Sequence, residues 1–395
     1  MIRRLQDADL SGKRALVRVD FNVPMKDGKV ADDTRLRAAL PTIAHLRESG
    51  AMTILAAHFD RPRGRRAPEM SLAPIAGPLA ELLGADVRFV SDCVGEDAEQ
   101  AAASLKPGEV LLLENTRFHA GEEANDADFA AALAKLADLY VNDAFSAAHR
   151  AHASTEGVAR ILPAYAGLSL QREIDHVTAA LDNPNRPLLA VVGGAKVSTK
   201  IDLLKNLVSK VDRLFVGGAM ANTFLAARGH EMGASLYETD LLETARAIEV
   251  AASAANCQIL LPVDGVVTTE FKANAERRVA DVDAIKQNEM MLDCGPETVD
   301  RLADAIDAAR TLVWNGPLGA FETPPFDTAT MEAARYAATR TKDSGLVTVA
   351  GGGDTVAALN QAGVADDFTF VSTAGGAFLE WLEGKPLPGV EALKG

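Results

Sequence analysis

The sequence predicts an α/β protein of two Rossmann-like domains, each a parallel sheet flanked by helices, joined by an interdomain helix with a cleft between them. Three observations lead there. Short runs rich in Val and Leu recur along all 395 residues and are continuous, not alternating. That pattern suits strands buried on both faces of a parallel sheet. Helical patterns lie between the runs, and repeated strand then helix means α/β. Midway, one helical stretch ends in a cluster of breakers and divides the chain, whose length suits two or three domains of roughly 150 residues.

In the first half the strand runs are "RALVRV", "MTILAA", "VRFV", "EVLLLEN" and "DLYVND". In the second they are "PLLAVV", "RLFV", "QILLPV", "TLVW", "LVTVA" and "FTFV". Helices are expected at "AGPLAELLG", "DFAAALAKLAD" and "VDRLADAIDAA". The dividing stretch has Leu170, Ile174, Val177 and Leu181 at helical spacing, then the run Asp182-Asn183-Pro184-Asn185-Arg186-Pro187. The expected division is residues 1–169, an interdomain helix and linker at 170–185, and residues 186–377. "VVGGAK" and "FVGGAM" repeat one design of strand, Gly-Gly and helix, too closely spaced for a solenoid.

Composition removes several function classes. Apolar residues are 48% and charged residues 24%, so a soluble globular chain is expected. Aromatics are only 5%, which leaves the cores to Val, Leu, Ile and Ala. A formal net charge of −15 disfavours nucleic acid and anionic membranes as partners. Cys93, Cys257 and Cys294 have neither disulfide-framework nor zinc spacing and read as buried free thiols in a reducing compartment. The start "MIRRLQDADL" has no apolar run, and no stretch reaches membrane-spanning length, so a cytoplasmic location is expected.

Polar residues and glycines cluster just past the strand runs. Asp20 and Asn22, His58 and Arg61, and Arg117 occupy such positions in the first half. Gly193-Gly194, Gly217-Gly218, Asp264, Asn315 and Gly351 to Asp354 do so in the second. Ligands of open parallel sheets bind outside the carboxyl ends of the strands. The first half offers cations there, namely Arg35, His58, Arg61, Arg117 and Arg150, with His149 and His152 nearby, and guanidinium forks suit phosphate and carboxylate. The second offers glycines, which allow close backbone approach to a phosphate or, alternatively, tight strand-to-helix packing. Asp354 and Thr355 follow the last loop, where Asp354 reads as a magnesium ligand or as a helix cap. There is no Walker A loop, no protein-kinase loop set and no H-E-x-x-H pair.

With these residues assembled, the sequence resembles the phosphoglycerate kinase family over essentially its whole length. The resemblance lies in "RVDFNVP", "LLLENTRFH", "YVNDAFSAAHRAHAS", "GGAKVSTKI", "LDCGPET", "VWNGPLGAFE", "GGGDT" and "GKPLPGVEAL". It implies reversible phosphoryl transfer between 1,3-bisphosphoglycerate and MgADP, giving 3-phosphoglycerate and MgATP, by direct in-line transfer after domain closure in a monomer. It implies a phosphoglycerate site of Asp20, Asn22, Arg35, His58, Arg61, Arg117 and Arg150 in the N-terminal domain. The implied nucleotide site comprises Gly194, Lys196, Lys200, Gly218, Asn315, Pro317, Glu322, Gly351, Gly352, Gly353, Asp354 and Thr355. Glu322 would take the ribose hydroxyls and Asp354 the magnesium, while Arg35, Lys200 and Gly376 would be catalytic. The tail 378–395 would pack back on the N-terminal domain. Two positions depart from the family pattern: Asp60 stands for a glycine in His58-Phe59-Asp60-Arg61-Pro62, and Ala374 for a glycine after Thr373. The first puts the local backbone path in question, and the second is expected to stiffen a segment involved in closure.

The resemblance also explains the paired lysines in "VVGGAKVSTK". The accepting group on the glycerate is a carboxylate, already ionised at pH 7, so no general base is required. Catalysis reduces to positioning and to stabilising charge on the transferring oxygens. Spaced four apart, Lys196 and Lys200 are expected on one helix face, Lys200 toward the transferring group and Lys196 toward the α-phosphate. A solvated helix end is the bland alternative. A nucleotide-dependent ligase or dehydrogenase lacks its dinucleotide fingerprint. A two-lobed anion-binding protein without catalysis would expect a secretory signal and no magnesium dependence.

Overall fold

The structure is a computed structural model and describes residues 2–395. The chain forms two compact units, Met1–Ile174 with Pro386–Gly395, and Asp175–Lys385.

The first unit holds a six-stranded parallel sheet, ordered Val87–Phe89, Val110–Leu112, Met52–Ala56, Arg14–Arg18, Leu139–Asn142, Ala164–Ala166. The continuous apolar runs are explained by burial of both faces. Ala15, Val17, Leu55, Leu112 and Val141 pack in one core cluster. Their alternates Leu16, Ile54, Leu111 and Tyr140 are equally buried on the opposite face. Strand order reverses around Arg14–Arg18, so its carboxyl end is the switch point where a ligand crevice opens.

The second unit's main sheet is also parallel and six-stranded, ordered Gln258–Leu260, Arg213–Val216, Leu188–Val192, Thr311–Asn315, Val347–Gly351, Phe370–Ser372. Leu188, Ala190 and Val192 face one core, and Leu189 and Val191 the other. The switch point lies between Leu188–Val192 and Thr311–Asn315.

Three features depart from the sequence expectations. "QILLPV" is a strand only over Gln258–Leu260, because Pro262 cannot continue a ladder. Asp264 instead opens an antiparallel sheet of Asp264–Thr268, Arg277–Asp281 and Met290–Cys294. Its carboxylate accepts from the backbone N–H of Glu297 and Thr298 at the start of helix Pro296–Ala308, so it is a cap, not a ligand-facing group. The short strand Ala164–Ala166 and the hairpin Met25–Lys26/Lys29–Val30 also went unread. The hairpin turns at Asp27 and Gly28, both with positive φ, a pairing typical of tight hairpins.

The helix at the predicted linker runs Leu168–Leu181, and the boundary between units falls within it, at Ile174/Asp175. Residues 170–174 therefore go with the first unit and 175–185 with the second. The tail divides differently from the expected 378–395. Phe378 and Leu382 are buried in the second unit's core. Only Pro386–Gly395 joins the first unit, where Gly389 N–H donates to Ala148 O and Asn142 Nδ2 donates to Gly389 O.

Candidate active site

In the first unit the predicted polar residues gather past the strand ends. Arg35, on the first turn of helix Thr34–Glu48, donates from Nη1 to Asp20 Oδ1 at 3.0 Å and to Asn22 O at 2.9 Å. Ser146 Oγ donates to the other Asp20 oxygen at 2.5 Å. The Asp60 backbone ties this group to a second one: its N–H donates to Asn22 Oδ1, and its carbonyl accepts from Arg117 Nη1 at 2.8 Å. Asp60 has φ +53, the left-handed region that the usual glycine would enter freely and that Asp tolerates better than most residues. Arg150 is half-buried against His149, and Arg61 is exposed.

His58 requires a correction. The sequence counted it among the cations, but the imidazole is held neutral. Burial pulls its pKa well below the usual histidine range, and Arg18, Arg117, Arg150 and His152 push it the same way. His152 is lowered to about 4, first by burial and then by Arg117, Arg18 and Arg150. Sequence reading missed Arg18, which lies inside the strand run and is 1% exposed.

In the second unit two of the glycine loops press backbone on backbone. A Cβ on Gly193 would lie 1.8 Å from Pro317 O, and one on Gly218 would lie 2.6 Å from Gly194 O. These glycines serve close packing, and the surface they create is the floor of a pocket of about 690 Å³. Of the predicted nucleotide residues, Gly194, Gly218, Pro317, Glu322 and Asp354 line it. Asn315 and Thr355 are buried beneath: Thr355 Oγ1 accepts from Gly316 N–H, and Asn315 Nδ2 donates to Gly351 O. Gly352, at φ +101, caps helix Gly353–Ala362, so Asp354 is not the cap but an exposed first-turn carboxylate at the pocket wall. Gly376 is exposed at the start of helix Gly375–Leu382, whose cap Ala374 has an ordinary negative φ.

The paired lysines do not share a helix face. Lys196 caps a single 3-10 turn, Val197–Thr199, and the α-helix begins only at Ile201. Lys196 is exposed. Lys200, which is half-buried, turns inward, and its Nζ donates to Gly193 O at 2.7 Å, Asn315 Oδ1 at 2.7 Å and Asn315 O at 3.2 Å. Burial lowers its pKa to about 8, opposed by the Asp354 carboxylate.

A family profile described as phosphoglycerate kinase matches residues 5–385. The phosphoglycerate kinase of Maricaulis maris is 66% identical over 394 residues, covering 100% of this chain and 98% of the relative. That of Caulobacter vibrioides is 62% identical over 392 residues, covering 99% of each. The chain belongs to the phosphoglycerate kinase family. Among solved structures, the phosphoglycerate kinase of Coxiella burnetii superposes with a TM-score of 0.93 at 42% identity, covering 100% of this chain and 99% of that one. That of Pyrococcus horikoshii gives 0.80 at 32%, covering 99% and 98%. The reading as a non-catalytic anion-binding protein finds no support in these relatives.

The family residues read from sequence omit the apolar wall of the pocket. Leu236 and Phe271, 56% and 61% exposed, line it together with Met290 and Phe321. No local pattern marks them, since each lies on a loop or at a strand end and meets the others only in the folded unit. One further group, Asp92, Cys93 and His119, brings possible metal-ligand atoms within 4.8 Å of one another. Its atoms are already engaged: His119 Nε2 bonds Asp92 Oδ1 at 2.7 Å, Arg66 pairs with Asp92 Oδ2, and burial holds the Cys93 thiol protonated.

Proposed function

We propose that this chain catalyses reversible phosphoryl transfer between 1,3-bisphosphoglycerate and ADP, giving 3-phosphoglycerate and ATP. Lys200 is the observation that carries the reading. Its ammonium is buried at a switch point and rests on three neutral oxygens, so its charge is not spent on a carboxylate contact. An ammonium has three donors, and all three are engaged. Lys200 therefore exchanges one of them when it meets the transferring phosphoryl group.

The first unit binds the phosphoglycerate through Asn22, Arg35, His58, Arg61, Arg117 and Arg150, with Asp20 orienting Arg35. The second binds the nucleotide in the pocket at Gly194, Gly218 and Pro317, with Glu322 at the ribose and the Gly351 to Thr355 loop at the phosphates. Lys196, exposed, meets a non-reacting phosphate, and Gly376 lies at a helix start suited to an anion. Because the glycerate carboxylate is ionised, the chain's work is to orient both substrates and to place Arg35 and Lys200 at the growing charge. Magnesium fits the donor set: Asp354 offers one exposed carboxylate beside a phosphate loop, and magnesium usually takes one or two carboxylates plus substrate phosphates. Bound there, it would neutralise charge on the nucleotide phosphates. Among the described residues no helix is long and apolar enough to cross a membrane. The reading is of a cytoplasmic monomer, in keeping with three buried free thiols.

The test is a coupled assay with ATP, magnesium and 3-phosphoglycerate, following 1,3-bisphosphoglycerate through its reduction. Turnover that requires all three supports the reading. ATP consumption indifferent to 3-phosphoglycerate would overturn it.

A further inference from the structure

Among the described residues Arg18 is the largest charged side chain that is less than 2% exposed, at 1%. Each of its three nitrogens has a partner. Nε donates to Ser154 Oγ at 2.9 Å, Nη1 donates to Val19 O, and Nη2 lies 2.7 Å from His58 Nδ1. Ser154 passes the link on: its Oγ donates to Glu122 Oε1 at 2.5 Å and its N–H to Glu122 Oε2 at 2.9 Å. Glu122 is fully buried, and Tyr140 Oη, also buried, donates to Ser154 O. The guanidinium is thus tied to a carboxylate through one hydroxyl, Nη1 is held by Val19 O, and Nη2 is aimed at the imidazole.

A guanidinium has donors and no acceptor. At 2.7 Å from it, Nδ1 must be the unprotonated nitrogen. A neutral imidazole with Nδ1 accepting carries its proton on Nε2. We propose that Arg18 is a positioning residue of the phosphoglycerate site, which by donating to Nδ1 sets His58 as the neutral Nε2–H tautomer, so that His58 meets an anionic substrate oxygen as a hydrogen-bond donor without charge. The proposal rests on His58 belonging to that site. The other groups facing the imidazole agree with it: Arg117, Arg150 and His152 surround it, and the two arginines oppose protonation together with Arg18. A histidine left free of Arg18 would divide between tautomers, and the Nδ1–H form would turn an acceptor toward the substrate anion.

The test is nitrogen-15 NMR of the histidine-labelled full chain, with the His58 resonances assigned by their loss in His58→Gln. Wild-type His58 should show an unprotonated Nδ1 and a proton-bearing Nε2, unchanged between pH 8 and 6. A proton on Nδ1, or an imidazolium at pH 7, would overturn the proposal. Arg18→Met should mix the tautomers and raise KM for 3-phosphoglycerate about tenfold, the worth of one well-made hydrogen bond to an anion, with KM for MgATP within about twofold. Arg18→Lys, which keeps a charged donor, should restore most of the Nε2–H form. An unmixed tautomer in Arg18→Met, or an unchanged KM for 3-phosphoglycerate, would refute the role. If Arg18→Met fails to fold, the wild-type and Arg18→Lys spectra decide. The spectra require no turnover, so a correct tautomer in a chain without phosphoryl transfer would sink the reading of the site and leave the assignment standing.

Discussion

Lys200→Met removes the ammonium and keeps much of the side chain's length and apolar body. Two separable effects follow from its setting. The first is kinetic. If the charge grows in value only as the phosphoryl group moves, its loss lowers kcat more than it alters either KM. One preorganised donor of this kind is worth roughly 3–4 kcal/mol, about a hundred- to a thousandfold in rate. The second effect follows from the pKa of about 8, depressed from 10.5 by burial. The charged form is the active one, and it is lost as pH rises through that value. Wild-type kcat/KM for the nucleotide should therefore fall on the alkaline side, and Lys200→Arg, charged throughout, should lack that limb. Stability runs the other way. Between the folded pKa and the unfolded one, the unfolded chain holds the proton that the native chain has released, so stability rises with pH. A depression of about 2.5 units at about 1.4 kcal/mol per unit makes that rise about 3 kcal/mol, the difference from Lys200→Met in urea titrations between pH 7 and 10. A coupled assay at saturating magnesium gives the kinetic half. If Lys200→Met keeps kcat within about threefold of wild type, the lysine is a buried structural group and the mechanism is wrong.

Arg35→Ala should raise KM for 3-phosphoglycerate and leave MgADP affinity by calorimetry nearly intact, because its hydrogen bonds all lie within the first unit; a loss of nucleotide affinity above about tenfold would contradict the division of labour. Lys196→Ala should raise the nucleotide KM with kcat largely kept, since an exposed lysine on a non-reacting phosphate contributes alike before and during reaction; a kcat loss equal to that of Lys200→Met would exchange the two roles. Asp354→Asn should raise the magnesium concentration required for half-maximal activity, and an unchanged titration would remove it from the metal site. Gly193→Ala drives a Cβ to 1.8 Å from Pro317 O, which backbone alone can relieve, so it should cost about 3 kcal/mol in urea unfolding; a loss under about 1 kcal/mol would mean that the loops have room to part.

The two parallel sheets are legible in the residues alone, because burial of both faces leaves a pattern visible in a short run: "LLAVV" needs no distant partner to be read. The sequence also marked the loops past the strand ends as candidates for chemistry, since a ligand at a strand's carboxyl end draws polar residues and glycines into fixed local positions. The tertiary structure decided what those residues are. His58 reads as a cation by type, and only Arg18, forty positions earlier, together with burial makes it neutral. Lys196 and Lys200 are alike in sequence, and only Asn315, from another strand, gathers one of them inward. Asp264 reads as a site residue by position, and only the helix opening at Pro296 turns it into a cap. The apolar pocket wall at Leu236 and Phe271 has no local signature at all. Protonation, hydrogen-bond partnership and burial depend on atoms brought together through space, and periodicity along a chain reports only which face each residue presents.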